Sequence, residues 1–178
     1  MKKETYLHMV NTLKVKPTLA KTVITANSLI TKAIYIAYPC LLIALFAIEY
    51  LPSGIAPSPT QSLFFASFII PLVSFLLLSI IRKSINAKRP YEVFEISPII
   101  PKSTKGKSFP SRHVFSIFVI GTTFLYACPI PALGIVILVS GVLLAVLRVV
   151  SGVHFPRDVI AGSLFGIACA IIGFTLWF

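Results

Sequence analysis

The sequence predicts an all-α, polytopic membrane helix bundle of about five transmembrane helices, preceded by an N-terminal amphipathic segment. Three observations carry that prediction. The 178-residue chain is 57% hydrophobic, and its mean hydropathy of +0.94 lies well above soluble usage. Tyr50–Ile81, Val114–Leu147 and Val159–Phe178 hold no charge, and about 20 apolar residues make one helical span. The remaining charge is concentrated and mostly positive, sixteen Lys and Arg against five Asp and Glu for a net +11.

Residues 1–27 are read as an amphipathic interfacial segment. Tyr6, Met9, Val10 and Leu13 recur at helical spacing beside Lys14 and Lys16. Pro17 interrupts the pattern, and Leu19, Ala20, Val23 and Ile24 resume it. That periodicity predicts one or two helices lying on the membrane surface. Met1–Lys32 is rich in lysine and lacks a continuous apolar core, so no cleavable signal peptide is expected. Residues 28–178 are read as one transmembrane domain. Its first span is Leu29–Leu51, with Lys32 snorkelling at the start, a kink at Pro39, and Glu49 and Tyr50 at the far end. A turn rich in Pro, Ser and Gly, Pro52–Pro59, leads to the second span, Ser62–Ile81, with Pro71 near its middle. Arg82–Pro110 is a long polar connection. Val114–Ala127 and Ala132–Leu147 are the third and fourth spans, divided by Cys128-Pro129-Ile130-Pro131. Both are short, so their helices are expected to run a turn further. Val159–Trp177 is the fifth. Cys40, Cys128 and Cys169 match no metal spacing and are read as small core residues.

Five spans put residues 1–32, 82–112 and 148–157 on one side of the membrane, together with all sixteen Lys and Arg. The positive-inside rule makes that side cytoplasmic. Because the cations flank spans, anionic lipid headgroups or phosphate are expected as partners, in a phospholipid bilayer, rather than nucleic acid.

Three polar clusters meet on the charged side: Arg82, Lys83, Lys88, Arg89 and Pro90; then Phe109-Pro110-Ser111-Arg112-His113; then Arg148 to Asp158. Pro110 suits the first position of a helix, which would leave the Ser111 and Arg112 N–H groups open to an anion, with His113 on the same turn. Pro156 starts the last helix in the same way. Asp158 then falls in its first turn, within reach of His154. A carboxylate on one imidazole nitrogen fixes the tautomer and frees the other to attack. Gly152 supplies the bend that aims His154. Arg82, Lys83, Arg89, Arg112 and Arg148 outnumber Glu92, Glu95 and Asp158, the nearby carboxylates, and phosphate is the simplest missing anion. With five carboxylates and three His in the chain, an oxygen-ligated metal centre is hard to build, so no metal and no cofactor is expected. Lys2, Lys3, Lys14, Lys16, Lys102, Lys105 and Lys107 are read as interfacial anchors, and His8 as a surface residue.

These clusters make the chain similar to the type 2 phosphatidic acid phosphatases, the membrane lipid phosphate phosphatases. That family's signature is KxxxxxxRP, PSGH and SRxxxxxHxxxD, and Arg82–Pro90, Pro110–His113 and Arg148–Asp158 match it in order. The resemblance covers about Ile81–Gly162 by motif. It implies that His154 is the nucleophile, forming a phosphohistidine, that Asp158 orients it, and that His113 is the general acid. It further implies that Arg89, Ser111 and Arg148 bind phosphate. The chain departs from the pattern in three places. Arg82 stands at the motif lysine with Lys83 beside it, Arg112 at the glycine of PSGH, and Leu147 at the serine before the last motif's arginine. Many members have six spans and a site facing away from the cytoplasm, so family precedent and the positive-inside rule point to opposite sides.

The expected activity is therefore hydrolysis of a lipid phosphate monoester or diphosphate, with phosphatidic acid, phosphatidylglycerol phosphate and a polyprenyl diphosphate as leading substrates. The rival readings are a non-enzymatic lipid-phosphate binder or transporter, a phosphatase of soluble phosphate esters, and a vanadate-dependent haloperoxidase of the same fold. The two histidines weigh against the first, since binding alone needs only cations. The apolar spans weigh against the last, whose members are soluble.

Overall fold

The chain is described by a computed structural model over residues 3–51 and 57–178. Positions 52–56 of the expected Pro52–Pro59 turn, and Lys2, lie outside those residues. Among the described residues seven α-helices follow one another: α1 Lys3–Val15, α2 Pro17–Tyr50, α3 Leu63–Ile85, the single turn α4 Pro90–Phe94, α5 Arg112–Ala127, α6 Pro131–Val150 and α7 Pro156–Trp177. Among the described residues there is no strand. The helix bundle is thus the one that hydropathy predicts. By length and composition, four helices among the described residues can cross a membrane, namely α2, the stretch beginning with α3, α6 and α7. The third expected span, α5, has 16 residues and is shorter. The chain is a multi-pass membrane protein.

Proline marks where helices begin. Pro17, Pro90, Pro131 and Pro156 each open a helix, where an absent N–H leaves no bond unmade. Pro39 and Pro71 lie within α2 and α3, which continue through them.

No helix boundary falls at residue 27. The second half of the expected amphipathic segment is continuous with the first span, because Pro17 starts a helix of 34 residues that runs unbroken to Tyr50. Such a helix is roughly 50 Å long, well beyond the ~30 Å hydrocarbon layer. It therefore overhangs that layer or crosses it at a tilt. The apolar stripe of α1 faces protein as well. Tyr6, Val10 and Leu13 are buried, and Val10 and Leu13 pack with Val23 of α2, Leu147 of α6 and Ile99 of the connecting loop.

The centre of the bundle is α5, which packs mainly on α6 and α7. Val114, Phe115, Ile117, Phe118, Ile120 and Phe124 are buried in one cluster with Leu41, Leu78, Leu144 and Val159. Gly162 and Gly166 let α7 approach α5 closely. A Cβ on either would lie 2.8 Å from the Ser111 carbonyl oxygen or 2.7 Å from that of Phe115. At the end remote from the charges, Glu49 caps α3. Its carboxylate accepts from Leu63 N at 2.8 Å, Phe64 N at 3.3 Å and Ser62 Oγ at 2.5 Å, the placement that a helix N-terminus favours. Of the cysteines, Cys128 and Cys169 are partly buried. Cys40 is exposed on α2, so it is not the core residue its apolar neighbours suggest.

Candidate active site

At the polar end of the bundle, a cavity of about 230 Å³ is lined by Arg82, Arg89, Lys102, Thr104, Lys107, Arg112, His113, Arg148 and His154. All three sequence clusters reach it, and both histidines face the same space.

His154 lies in the turn between α6 and α7 and is 1% exposed. The turn is built by Gly152, whose φ of +76° belongs to the left-handed region. It is closed by Val153 N and His154 N, which both donate to the Arg148 carbonyl, at 3.2 and 3.1 Å. The nucleophile candidate is thereby tied to Arg148 in the last turn of α6. One helical turn on, Asp158 is fully buried. Its Oδ2 accepts from Phe155 N at 3.0 Å and lies 3.5 Å from His154 Nδ1. The expected carboxylate–imidazole pairing is thus present, with a third member. Ser108 Oγ donates to Asp158 Oδ2 at 2.5 Å and lies 3.4 Å from His154 Nδ1. On the other side of the ring, His154 Nε2 is 3.4 Å from Arg89 Nη1. A guanidinium only donates, so Nε2 there presents its lone pair and the ring proton belongs on Nδ1, towards the carboxylate. Burial above all pushes His154 down to about 4. The Arg89 and Arg148 charges add to the shift, and the Asp158 hydrogen bond and charge oppose it. The ring is neutral at neutral pH.

The cations are held by the backbone. Arg82, 4% exposed near the end of α3, donates to the carbonyls of Lys107 and Pro110 and, at 3.5 Å, of Ser108. Arg89 Nε donates to the Gly106 carbonyl at 3.1 Å. Glu92 secures that arrangement by accepting from Arg89 N at 2.9 Å and from Gly106 N at 2.9 and 3.0 Å. The Glu92 carboxylate is therefore spent on main-chain N–H groups rather than on the Arg89 guanidinium. Arg148 is buried, with its Nε lacking a hydrogen-bond partner. Burial first, then the charges of Arg148, Arg89, Arg112 and Arg82, lower Lys102 below the ordinary lysine value. Crowding of this kind is relieved by a bound anion.

Several sequence expectations change here. Of Arg82 and Lys83, only Arg82 reaches the cavity; Lys83 is exposed. Positions 74, 78 and 82 lie on the buried face of α3, and one step of helix turns Lys83 away. Lys102 and Lys107, expected as interfacial anchors, line the cavity because the 86–107 connection folds back over it. Helix α5 begins at Arg112, with Ser111 as its N-cap, so Pro110 is not its first residue. The Ser111 N–H is not open to an anion, since it donates to the Asp158 carbonyl at 2.8 Å. Ser111 itself is buried with an unpartnered Oγ and does not line the cavity. Arg112 does, with its guanidinium 5.3 Å from the Phe75 ring centre. Sequence reasoning missed Ser108, Thr104 and Tyr6, whose hydroxyl donates to the His154 carbonyl at 3.0 Å. Among the described residues, no three His, Cys, Asp or Glu side chains are grouped to hold a metal ion.

Comparison with known proteins follows the same lines. The profile of the PAP2 superfamily matches residues 62–178. A lipid A 1-phosphatase from Rhizobium johnstonii is 31% identical over 104 residues, 56% of this chain and 41% of that protein. The bacitracin transport permease protein BcrC from Bacillus licheniformis is 32% identical over 113 residues, 61% of this chain and 54% of that protein. The chain thus matches about half the length of these relatives. Among solved structures, LpxE of Aquifex aeolicus superposes with a TM-score of 0.65 at 23% identity, over 97% of this chain and 93% of that one. A PAP2-type phosphatidylglycerolphosphate phosphatase from Bacillus subtilis superposes with a TM-score of 0.56 at 18% identity, over 97% and 92%. These superpositions show a shared fold.

Proposed function

The chain belongs to the PAP2 superfamily, and from that premise we propose that it is a membrane lipid phosphate phosphatase working through a phosphohistidine. The observation that carries the reading is the meeting of two histidines and four arginines, Arg82, Arg89, Arg112 and Arg148, on one cavity at the polar end of an apolar bundle. In the first half-reaction, Nε2 of His154 attacks phosphorus while the bond from phosphorus to the lipid oxygen breaks. His113 gives its proton to that oxygen. The guanidinium groups stabilise the equatorial oxygens. Asp158, with Ser108 beside it, holds the Nδ1 proton and balances the positive charge the ring acquires. In the second half-reaction, water attacks phosphorus with His113 as base, the bond to Nε2 breaks, and inorganic phosphate leaves. Phosphate monoesters demand up to ~10²¹-fold acceleration, which accords with so many cations at one site.

A site at the end of membrane-spanning helices favours a substrate whose tail stays in lipid. Phosphatidic acid, phosphatidylglycerol phosphate and a polyprenyl diphosphate are the substrates proposed, on the extracytoplasmic face that family precedent supports. The test is phosphate release by the purified protein from a panel of lipid and water-soluble phosphates, in chelator, with and without vanadate. Lipid substrates are expected to be hydrolysed, vanadate to inhibit, and His154→Ala to be inactive. Phosphate release that survives His154→Ala refutes the mechanism, and binding without turnover turns the reading to a carrier. A cysteine at exposed Ser58, placed in a cysteine-free background, reports the side. Labelling from outside intact cells would put the site in the cytoplasm.

A further inference from the structure

We infer that α1 is a positioning strap for the nucleophile, with Tyr6 as the residue that holds it. This rests on the reading of His154 given above. Helix α1 lies outside the stretch that matches the family profile, yet it closes on the turn that carries His154. Tyr6 is fully buried, and its hydroxyl donates to the His154 carbonyl at 3.0 Å across 148 residues of chain. Burial, and after it the Asp158 charge, raise the phenol above its ordinary value, so it keeps the proton it donates. The ring meets Phe155 edge-on, with centroids 5.6 Å apart, and Phe94 at 5.5 Å. Those two rings also contact each other, at 5.9 Å. Phe155 follows His154, and Phe94 ends the turn of helix that begins after Arg89. One aromatic cluster therefore joins α1 to the segments bearing both the nucleophile and the arginine beside its Nε2. One turn along α1, Val10 covers Gly152, 3.3 Å from where a Cβ would stand. The left-handed bend of the His154 turn is thus closed from outside by α1.

A hydrogen bond to the backbone of His154 sets where the imidazole sits. It does not bind substrate, and a misplacement of about 1 Å is enough to slow attack by about a hundredfold. Tyr6→Phe removes the hydroxyl and keeps the ring. In the full-length purified protein, kcat for a lipid phosphate is expected to fall about tenfold with KM within about twofold of wild type. The second readout needs no turnover: nitrogen NMR of histidine-labelled protein. Wild-type His154 is expected in a single tautomer with its proton on Nδ1. In Tyr6→Phe its signals are expected to broaden or shift, with those of His8 and His113 unchanged. Unaltered His154 signals overturn the inference whatever the turnover. So does a change shared equally by His113, which reports general loosening. If the wild type hydrolyses nothing in the panel, the proposed activity fails, and the NMR comparison still decides the role of Tyr6.

Discussion

Replacing Asp158 by Asn tests the heart of the mechanism with little change of shape. An amide can still accept from Phe155 N, so the start of α7 survives; what disappears is one negative charge. In the resting enzyme His154 is neutral, and the charge matters little to it. Once Nε2 bonds to phosphorus the ring is cationic, with Asp158 Oδ2 only 3.5 Å from Nδ1. Two unit charges at that distance attract by about 5 kcal/mol at an effective dielectric of ~20. At about 1.4 kcal/mol per factor of ten, full development of the charge makes the loss in kcat roughly three orders of magnitude, and half development makes it about a hundredfold. The pair is fully buried, so solvent does not screen it. The assay is initial-rate phosphate release in detergent micelles, with the thermal unfolding midpoint measured alongside. KM is expected to stay within a few-fold, since Asp158 does not line the cavity. A folded Asp158→Asn enzyme whose kcat is within about threefold of wild type would falsify the ring-charge argument.

Further outcomes follow from the same geometry. His154 is held near 4 against the ordinary imidazole value of 6.5, and in the proposed mechanism the neutral ring is the nucleophile. The acid limb of the kcat/KM profile is therefore expected near 4, where His154 takes up a proton; an acid limb centred near 6.5 counts against it. Arg82→Lys removes a planar fork that serves three carbonyls and is expected to cost about 2 kcal/mol of stability together with activity. Lys83→Ala, one residue on, is expected to change neither unfolding nor KM, and the reverse ranking would disprove the assignment of Arg82. Glu49→Gln keeps acceptors at the start of α3 but removes the charge, for an expected loss of about 1 kcal/mol with unchanged KM. A drop in turnover at constant stability there would show long-range coupling instead.

What could be read from the sequence was whatever is encoded by spacing along one chain segment. The apolar stretches, Pro156 at the start of the last helix, and the His154–Asp158 pair one helical turn apart are of that kind. The choice between Arg82 and Lys83 stayed open in the sequence; the structure makes it, because Arg82 continues the Ser74 and Leu78 series on the buried face of α3. What escaped depends on which segments meet. Ser108 precedes the second motif by two residues, and nothing in that spacing shows its hydroxyl between Asp158 and His154. Lys102 and Lys107 look like ordinary surface lysines until Glu92 and Gly106 fold their loop back over the cavity. The stripe through Tyr6, Val10 and Leu13 was read as facing the membrane surface, and it is covered by protein instead, because periodicity along one helix does not say what packs on it. The Ser111 N–H was expected open because the carbonyl that takes it, from Asp158, lies on another helix.

The shortness of α5 has its own consequence for work in a membrane. At 16 residues it is roughly 24 Å long, less than a bilayer's hydrocarbon thickness. Its neighbours α2, α3, α6 and α7 surround it, so its fit to the lipid is set by protein. A bilayer that thickens or thins acts first on the outer helices, which can tilt or deform the surrounding lipid. Arg112 and His113 ride on the jacketed helix, moored to α7 through the Ser111–Asp158 main-chain bond. Their alignment with His154 is thereby insulated from the lipid composition around the protein.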